Sequence, residues 1–119
     1  MTALEFECTN VTISKSKIPL VDIVTAECNG IELTFDIHRE LNILRNATKL
    51  KLEIHREKPE CTPDKDYCGL GYVFSITSDD SGKTKILISI GGYIVRLIGR
   101  LEHEFKPMDK VYIKISNIT

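Results

Sequence analysis

Apolar and polar residues alternate with a period of two along most of the chain, and no window sustains the roughly 3.6-residue apolar period of an amphipathic helix. Leu4, Phe6 and Cys8 alternate with Glu5 and Glu7, and Val11 and Ile13 with Thr12 and Ser14, which predicts a long first strand with a slip or bulge near Asn10. Pro19 sits just ahead of a second strand, Val21 to Cys28, where its missing donor does little harm. Asn29-Gly30 is the favoured pair for a tight hairpin turn, and Ile31, Leu33, Phe35 and Ile37 then alternate against Glu32, Thr34 and Asp36. Residues 39–48 are ambiguous: Leu41 and Leu44 would line a turn of helix, Leu41 and Ile43 a strand edge, and the segment is read as irregular. Leu50, Leu52 and Ile54 mark a fourth strand with one wet face.

The proline- and charge-bearing stretch Glu57 to Tyr67 reads as the longest loop. Leu70 to Thr77 follows as strand five, Ser78 to Lys83 as turn chemistry, Ile86 to Ile90 and Tyr93 to Ile98 as strands six and seven around Gly91-Gly92, and Val111, Ile113 and Ile115 as the core of strand eight. The glycine pair makes a tight turn or a bulge with positive φ cheap. Eight short strands with turns between them predict an all-β fold: an eight-stranded antiparallel barrel of OB-fold type, in one domain spanning residues 1–119.

Strand seven is unusual. Tyr93, Val95 and Leu97 share one face and Ile94, Arg96 and Ile98 the other, so both faces look apolar apart from one guanidinium. A chain of 119 residues has one core to offer. The second face therefore calls for another protein, and an arginine among apolar residues is a common interface anchor. An unpartnered guanidinium in such a setting is costly, so Arg96 needs an acceptor, either an internal carboxylate or carbonyl or a group across an interface. The run Ile86-Leu87-Ile88-Ser89-Ile90 adds weight to an interface, because left uncovered at an edge it is an aggregation hazard.

Charge and candidate chemistry narrow the function classes. With 16 basic and 17 acidic residues the chain has no overall electrostatic drive toward phosphate backbones, and direct nucleic-acid contact is not expected. No apolar stretch approaches a membrane span and the start lacks the blocks of a signal peptide, so the expected location is cytoplasmic, with no membrane contact. Without secretion, the acceptor patterns at Asn10, Asn46 and Asn117 carry no glycosylation meaning. Cys8 and Cys28 read as small buried hydrophobes, and Cys61 and Cys68 as two free thiols spaced too widely for half of a zinc site; a bridge between them is expected only in a hyperthermophile.

His38, His55 and His103 each lie beside charged residues and read as solvated, with no nucleophile placed beside them. Ser81-Gly82-Lys83-Thr84 lacks the upstream glycine of a phosphate-binding loop and reads as a hairpin turn, while Gly69-Leu70-Gly71 has no following helix to bind a dinucleotide. No catalytic residue, metal site or cofactor is implied.

The stretch Ser89-x-Gly91-Gly92-x-x-x-Arg96-Leu97-x-Gly99 resembles the motif near the end of the eighth common subunit of the eukaryotic nuclear RNA polymerases. The similarity continues backward through Gly71-Tyr72-Val73 and forward to Val111-Tyr112-Ile113, with a weaker match over Cys28 to Ile54. The long acidic loop of the eukaryotic members is reduced here to about Glu57 to Tyr67, which resembles the archaeal counterpart, the G subunit of the archaeal polymerase. The resemblance implies an eight-stranded barrel of oligonucleotide-binding type, in agreement with the strand pattern. It also implies a non-catalytic subunit docked on the outside of the enzyme, mainly against the largest subunit and near other polymerase subunits, with the active site elsewhere. Gly91, Gly92, Arg96, Leu97 and Gly99 carry over as motif positions. With Ile88, Ile90, Ile94 and Ile98 of the same hairpin they form the expected partner-binding set.

Two rival readings remain: a free single-strand-binding barrel, for which strands two and three offer only Phe35 as a stacking aromatic, and a small enzyme, for which no constellation exists.

Overall fold

The computed structural model describes residues 2–39, 44, 46–62 and 65–119, with Leu41 and Ile43 of the ambiguous segment lying outside the described residues. Eight strands follow in order: β1 (Thr2–Lys15), β2 (Val21–Cys28), β3 (Ile31–His38), β4 (Leu50–His55), β5 (Asp66–Ser78), β6 (Thr84–Ile90), β7 (Tyr93–Gly99) and β8 (Lys110–Asn117). They close into an antiparallel barrel with the order β1-β2-β3-β7-β6-β5-β8-β4. This is the all-β architecture that the alternation predicts.

Two long strands make the closure possible. β1 pairs with β4 from Thr2 to Cys8 and with β2 from Thr9 to Lys15, and its register slips between Thr9 and Thr12, where Asn10 has φ of 52°. The bulge expected near Asn10 is therefore the point where one strand changes partner. β5 repeats the device: Asp66 to Tyr72 pair with β8, Tyr72 to Ser78 pair with β6, and the register slips between Val73 and Ser75. An extra residue bends a strand and raises its twist, which lets one sheet curl back on itself.

Turn chemistry sets the other corners. Asn29 and Gly30 (φ 52° and 82°) and Gly91 and Gly92 (φ 55° and 93°) both form two-residue connections, between Cys28 and Ile31 and between Ile90 and Tyr93. Positive φ at both central residues matches the right-handed twist of the flanking strands. The Ser81-Gly82-Lys83 segment is a turn, as expected, held by Asp79, whose Oδ1 accepts from the backbone N–H of Ser81 and Lys83 at 2.9 and 3.0 Å.

One side of every strand fills the interior. Phe35, Leu52, Ile54, Ile86, Ile88, Leu97, Ile113 and Ile115 are all fully buried there. Segment 100–109 closes one end with the buried Phe105. Arg56 lies over that ring at 5.1 Å and donates to Asp109 Oδ2 (3.1 Å) and to the Glu104 carbonyl (3.2 Å).

Three expectations are corrected. First, β5 begins at Asp66 rather than Leu70, because Asp66 to Gly69 find partners on β8 and thereby shorten the preceding loop. Second, all four cysteines are paired: Cys8 with Cys28, and Cys61 with Cys68. Cys8 and Cys28 are indeed buried in the apolar core, but they project inward from neighbouring strands beside the Thr9–Glu27 pair, close enough to bond. Cys61 reaches Cys68 because a turn folds the loop back, with the Thr62 N–H donating to Asp66 Oδ2 at 2.8 Å and the Asp66 N–H to the Thr62 carbonyl at 3.0 Å. Third, the histidines are not simply solvated. His55 is buried, with Nε2 3.2 Å from Glu53 Oε1. His103 stacks on Phe105 at 5.9 Å, and its Nδ1 accepts from the Phe105 N–H. His38 is partly buried at the end of β3.

Replacing Cys8 and Cys28 together by alanine removes a cross-link that spans 20 residues of sequence, and should lower the free energy of unfolding by about 3 kcal/mol in urea titrations. Burial pushes the Asp66 carboxyl up, but the Thr62 N–H, the Ser116 hydroxyl and the Lys114 ammonium outweigh it and hold the group below its ordinary value of 3.8. Its stabilisation is complete above the unfolded value and fades as pH falls through the lower folded one. Thermal melts from about pH 5 to about pH 2 should therefore show a shallower acid-side decline for Asp66→Asn than for the parent chain.

Candidate partner-binding face

The outer surface of the barrel divides into two unlike walls. On the β1-β4-β8 side, register aligns Glu5, Glu53, Lys114 and Cys68 in one outward row and Glu7, Lys51, Ser116 and Asp66 in the next. Two lysines here are paired within the chain: Lys51 Nζ lies 2.6 Å from Glu5 and Lys114 Nζ 3.7 Å from Asp66. The hydrogen bond to Glu5, and then its charge, hold the Lys51 ammonium above its ordinary pKa.

The β3-β7-β6-β5 side differs. Thr34, Arg96, Leu87 and Ser75 form one outward row, Glu32, Ile98, Lys85 and Thr77 the row on one side of it, and Ile94, Ser89 and Tyr72 the row on the other. Tyr72 (47% exposed) and Leu70 (43%) continue outward on β5, joined by Phe74 (45%), the extra residue of the bulge. Single exposed apolar residues are ordinary on a protein surface, but here three lie together on β5, beside the half-buried Leu87, Ile94 and Ile98 of β6 and β7. The aliphatic residues of this wall surround Arg96, which is 41% exposed and whose Nη2 lies 3.9 Å from Glu32 Oε1. Its Nε is shielded from solvent and has no hydrogen-bond partner among the described residues.

Aromatic stacking on β2 and β3 is ruled out as a surface function, because Phe35 is fully buried and lies against Tyr67 at 6.2 Å between ring centroids. Among the described residues, no group of three or more His, Cys, Asp or Glu could hold a metal ion. No helix among them is long and apolar enough to cross a membrane.

A family model described as the G subunit of DNA-directed RNA polymerase matches residues 3–118. The chain belongs to this family. It is 34% identical over 110 residues to the DNA-directed RNA polymerase subunit Rpo8 of Sulfolobus acidocaldarius, covering 88% of this chain and 90% of that relative. It is 30% identical over 114 residues to the Rpo8 of Saccharolobus solfataricus, covering 88% of this chain and 86% of the relative. The Rpo8 of Saccharolobus shibatae is 27% identical over 121 residues, with 94% and 92% covered.

The barrel sorts the expected partner-binding residues into two groups. Ile88, Ile90, Leu97 and Gly99 face inward and are buried, so the surface depends on them only through the course of the ribbon. Gly91 and Gly92 are exposed at the turn, and Ile94, Arg96 and Ile98 stand partly exposed on the outside. The strand that looks apolar on both faces thus spends one face on the core and offers the other. Leu70, Tyr72, Phe74 and Leu87, absent from the expected set, join the outer face. Alternation along β5 and β6 marks them as outward, but only the register places them beside β7.

The motif glycine Gly99 has a packing reason: a Cβ there would sit 2.9 Å from Ile31 Cγ1 and 3.0 Å from Ile31 Cα. Because one of these atoms is backbone, the neighbour cannot simply rotate away. Gly99→Ala should destabilise the isolated barrel by about 1–3 kcal/mol in urea titrations.

Proposed function

We propose that this chain is a non-catalytic structural and assembly subunit of the archaeal DNA-directed RNA polymerase, docking on the largest subunit through the outward face of the β6–β7 hairpin. Family membership makes it a polymerase subunit. The observation that carries the docking reading is the contrast between the two walls. The β1-β4-β8 side pairs Lys51 and Lys114 with its own carboxylates, whereas the β7-β6-β5 side leaves aliphatic and aromatic side chains and a loosely paired arginine open to a partner. Depletion of charge at the centre of a patch, with arginine and aromatic residues enriched, is the composition of a protein interface.

In this reading Ile94, Arg96 and Ile98 make contact, Gly91 and Gly92 allow close approach at the turn, and Ile88, Ile90, Leu97 and Gly99 hold the ribbon in shape from beneath. Catalysis belongs to other subunits. The chain binds no cofactor and works in the cytoplasm, without direct contact to nucleic acid.

The test is co-purification with an affinity-tagged largest subunit. Ile94→Asp places a carboxylate in the apolar face while leaving the core intact, and should reduce recovery of the subunit at least about tenfold. Lys51→Glu on the opposite wall should leave recovery within about twofold of the parent. Equal recovery of Ile94→Asp and the parent chain would refute docking through this face.

A further inference from the structure

We infer that the partner delivers a carboxylate to Arg96, so that this arginine is the receptor for an acidic side chain on an extended segment of the polymerase. The inference rests on the docking reading above and specifies its chemistry. An open groove of about 330 Å³ runs over β2, β3, β7 and β6, with Ile23, Leu87 and Ile94 as its apolar floor. Arg96, Lys85 and Asp36 are the charged residues that line it.

The state of the guanidinium points to what is missing. Nε–H is already out of solvent and bonded to nothing among the described residues, and the contact from Nη2 to Glu32 is long, with the glutamate 55% exposed. A solvent-exposed pair of this kind contributes little on its own. Once a partner covers the face, the water that now serves the rest of the guanidinium leaves, and a buried charge without a close counter-charge is strongly destabilising. A backbone carbonyl would satisfy one N–H and leave the charge unmet. A carboxylate matches the planar fork with two parallel bonds and neutralises it.

Placement of the other charges fixes the orientation. Lys85 lies diagonal to Arg96 on the Ile98 side, and Asp36, the next outward residue of β3 after Arg96's partner Thr34, lies diagonal to it on the Ile94 side. A docked acid is drawn toward Arg96 and Lys85 and repelled from Asp36. The occupant is therefore an extended protein segment with an acidic side chain at the Arg96 end and an apolar one seated on Ile23, Leu87 and Ile94.

Labelled subunit titrated into polymerase assembled without it, at salt from about 0.1 M to about 0.5 M, tests the assignment. Wild-type affinity should fall with salt. Arg96→Gln should bind about tenfold more weakly at low salt, with a flatter salt dependence, and Arg96→Lys should lie between the two. Glu32→Gln, which removes the internal competitor, should bind as tightly as wild type or more tightly. If instead Glu32→Gln and Arg96→Gln lose affinity alike, the pair is an internal brace and the inference falls. It also falls if Arg96→Gln binds within about twofold of wild type while Ile94→Asp does not, an outcome that leaves docking itself standing. Wild-type binding by Ile94→Asp would remove the docking reading as well. Displacement of the subunit by a single-stranded RNA oligonucleotide would make the receptor's anion a phosphate and overturn the assignment. Should Arg96→Gln fail to fold, judged by its thermal unfolding, the Arg96→Lys and Glu32→Gln pair decides by the same criteria.

Discussion

Closure of the sheet is the constraint on which the rest of the molecule depends. Eight strands close into a barrel when the first and last members of the ladder meet, and here β1 and β5 each divide their length between two neighbours to achieve that. β1 crosses from β4 to β2 at Asn10, and the Cys8–Cys28 bond lies just ahead of the crossing. The covalent link therefore fastens the seam where the backbone ladder is weakest, since a bulge leaves a residue unpaired. Arg56 fastens the segment before β8 by stacking on Phe105 and hydrogen bonding to Glu104 and Asp109.

Closure also decides what the hairpin of β6 and β7 can offer. Because the inner face is claimed by the core, half of the motif is committed to shape: Ile88 and Leu97 are fully buried, and Gly99 gives way to the passing backbone of Ile31. The other half is released outward, where Ile94 and Arg96 stay partly exposed among the described residues. Core and outer surface are thus two sides of one ribbon: even-numbered positions face inward on β6, as at Ile88 and Ile90, and outward on β7, as at Ile94, Arg96 and Ile98.

Much of this was legible in the residues. The hairpin at Asn29-Gly30 is plain because turn chemistry and alternation agree there, and the slip near Asn10 because two alternating runs are out of phase across it. The division of β7 into two faces follows from parity alone. What the pattern left hidden depended on distance in three dimensions. A buried half-cystine has the size and polarity of a small apolar residue, so Cys8 and Cys28 alternate just as valines would. The first residues of β5 carry polar and glycine character, and only the presence of β8 alongside makes them strand. His55 looked wet beside Glu53, Arg56 and Glu57, yet the end of β4 lies under neighbouring structure. The outer face was half visible for a similar reason: Leu70, Tyr72 and Phe74 are distant in sequence from Ile94, and adjacency came from the strand order rather than from the pattern.

The slip in β5 has an evolutionary corollary. Val73 and Ser75 take consecutive partners on β6, Ile88 and Leu87, so Phe74 is surplus to the ladder. Its side chain could be exchanged while every neighbour kept its place inside or outside the barrel. The relief of the outer surface can drift at that position to follow a changing neighbour, with the interior left untouched.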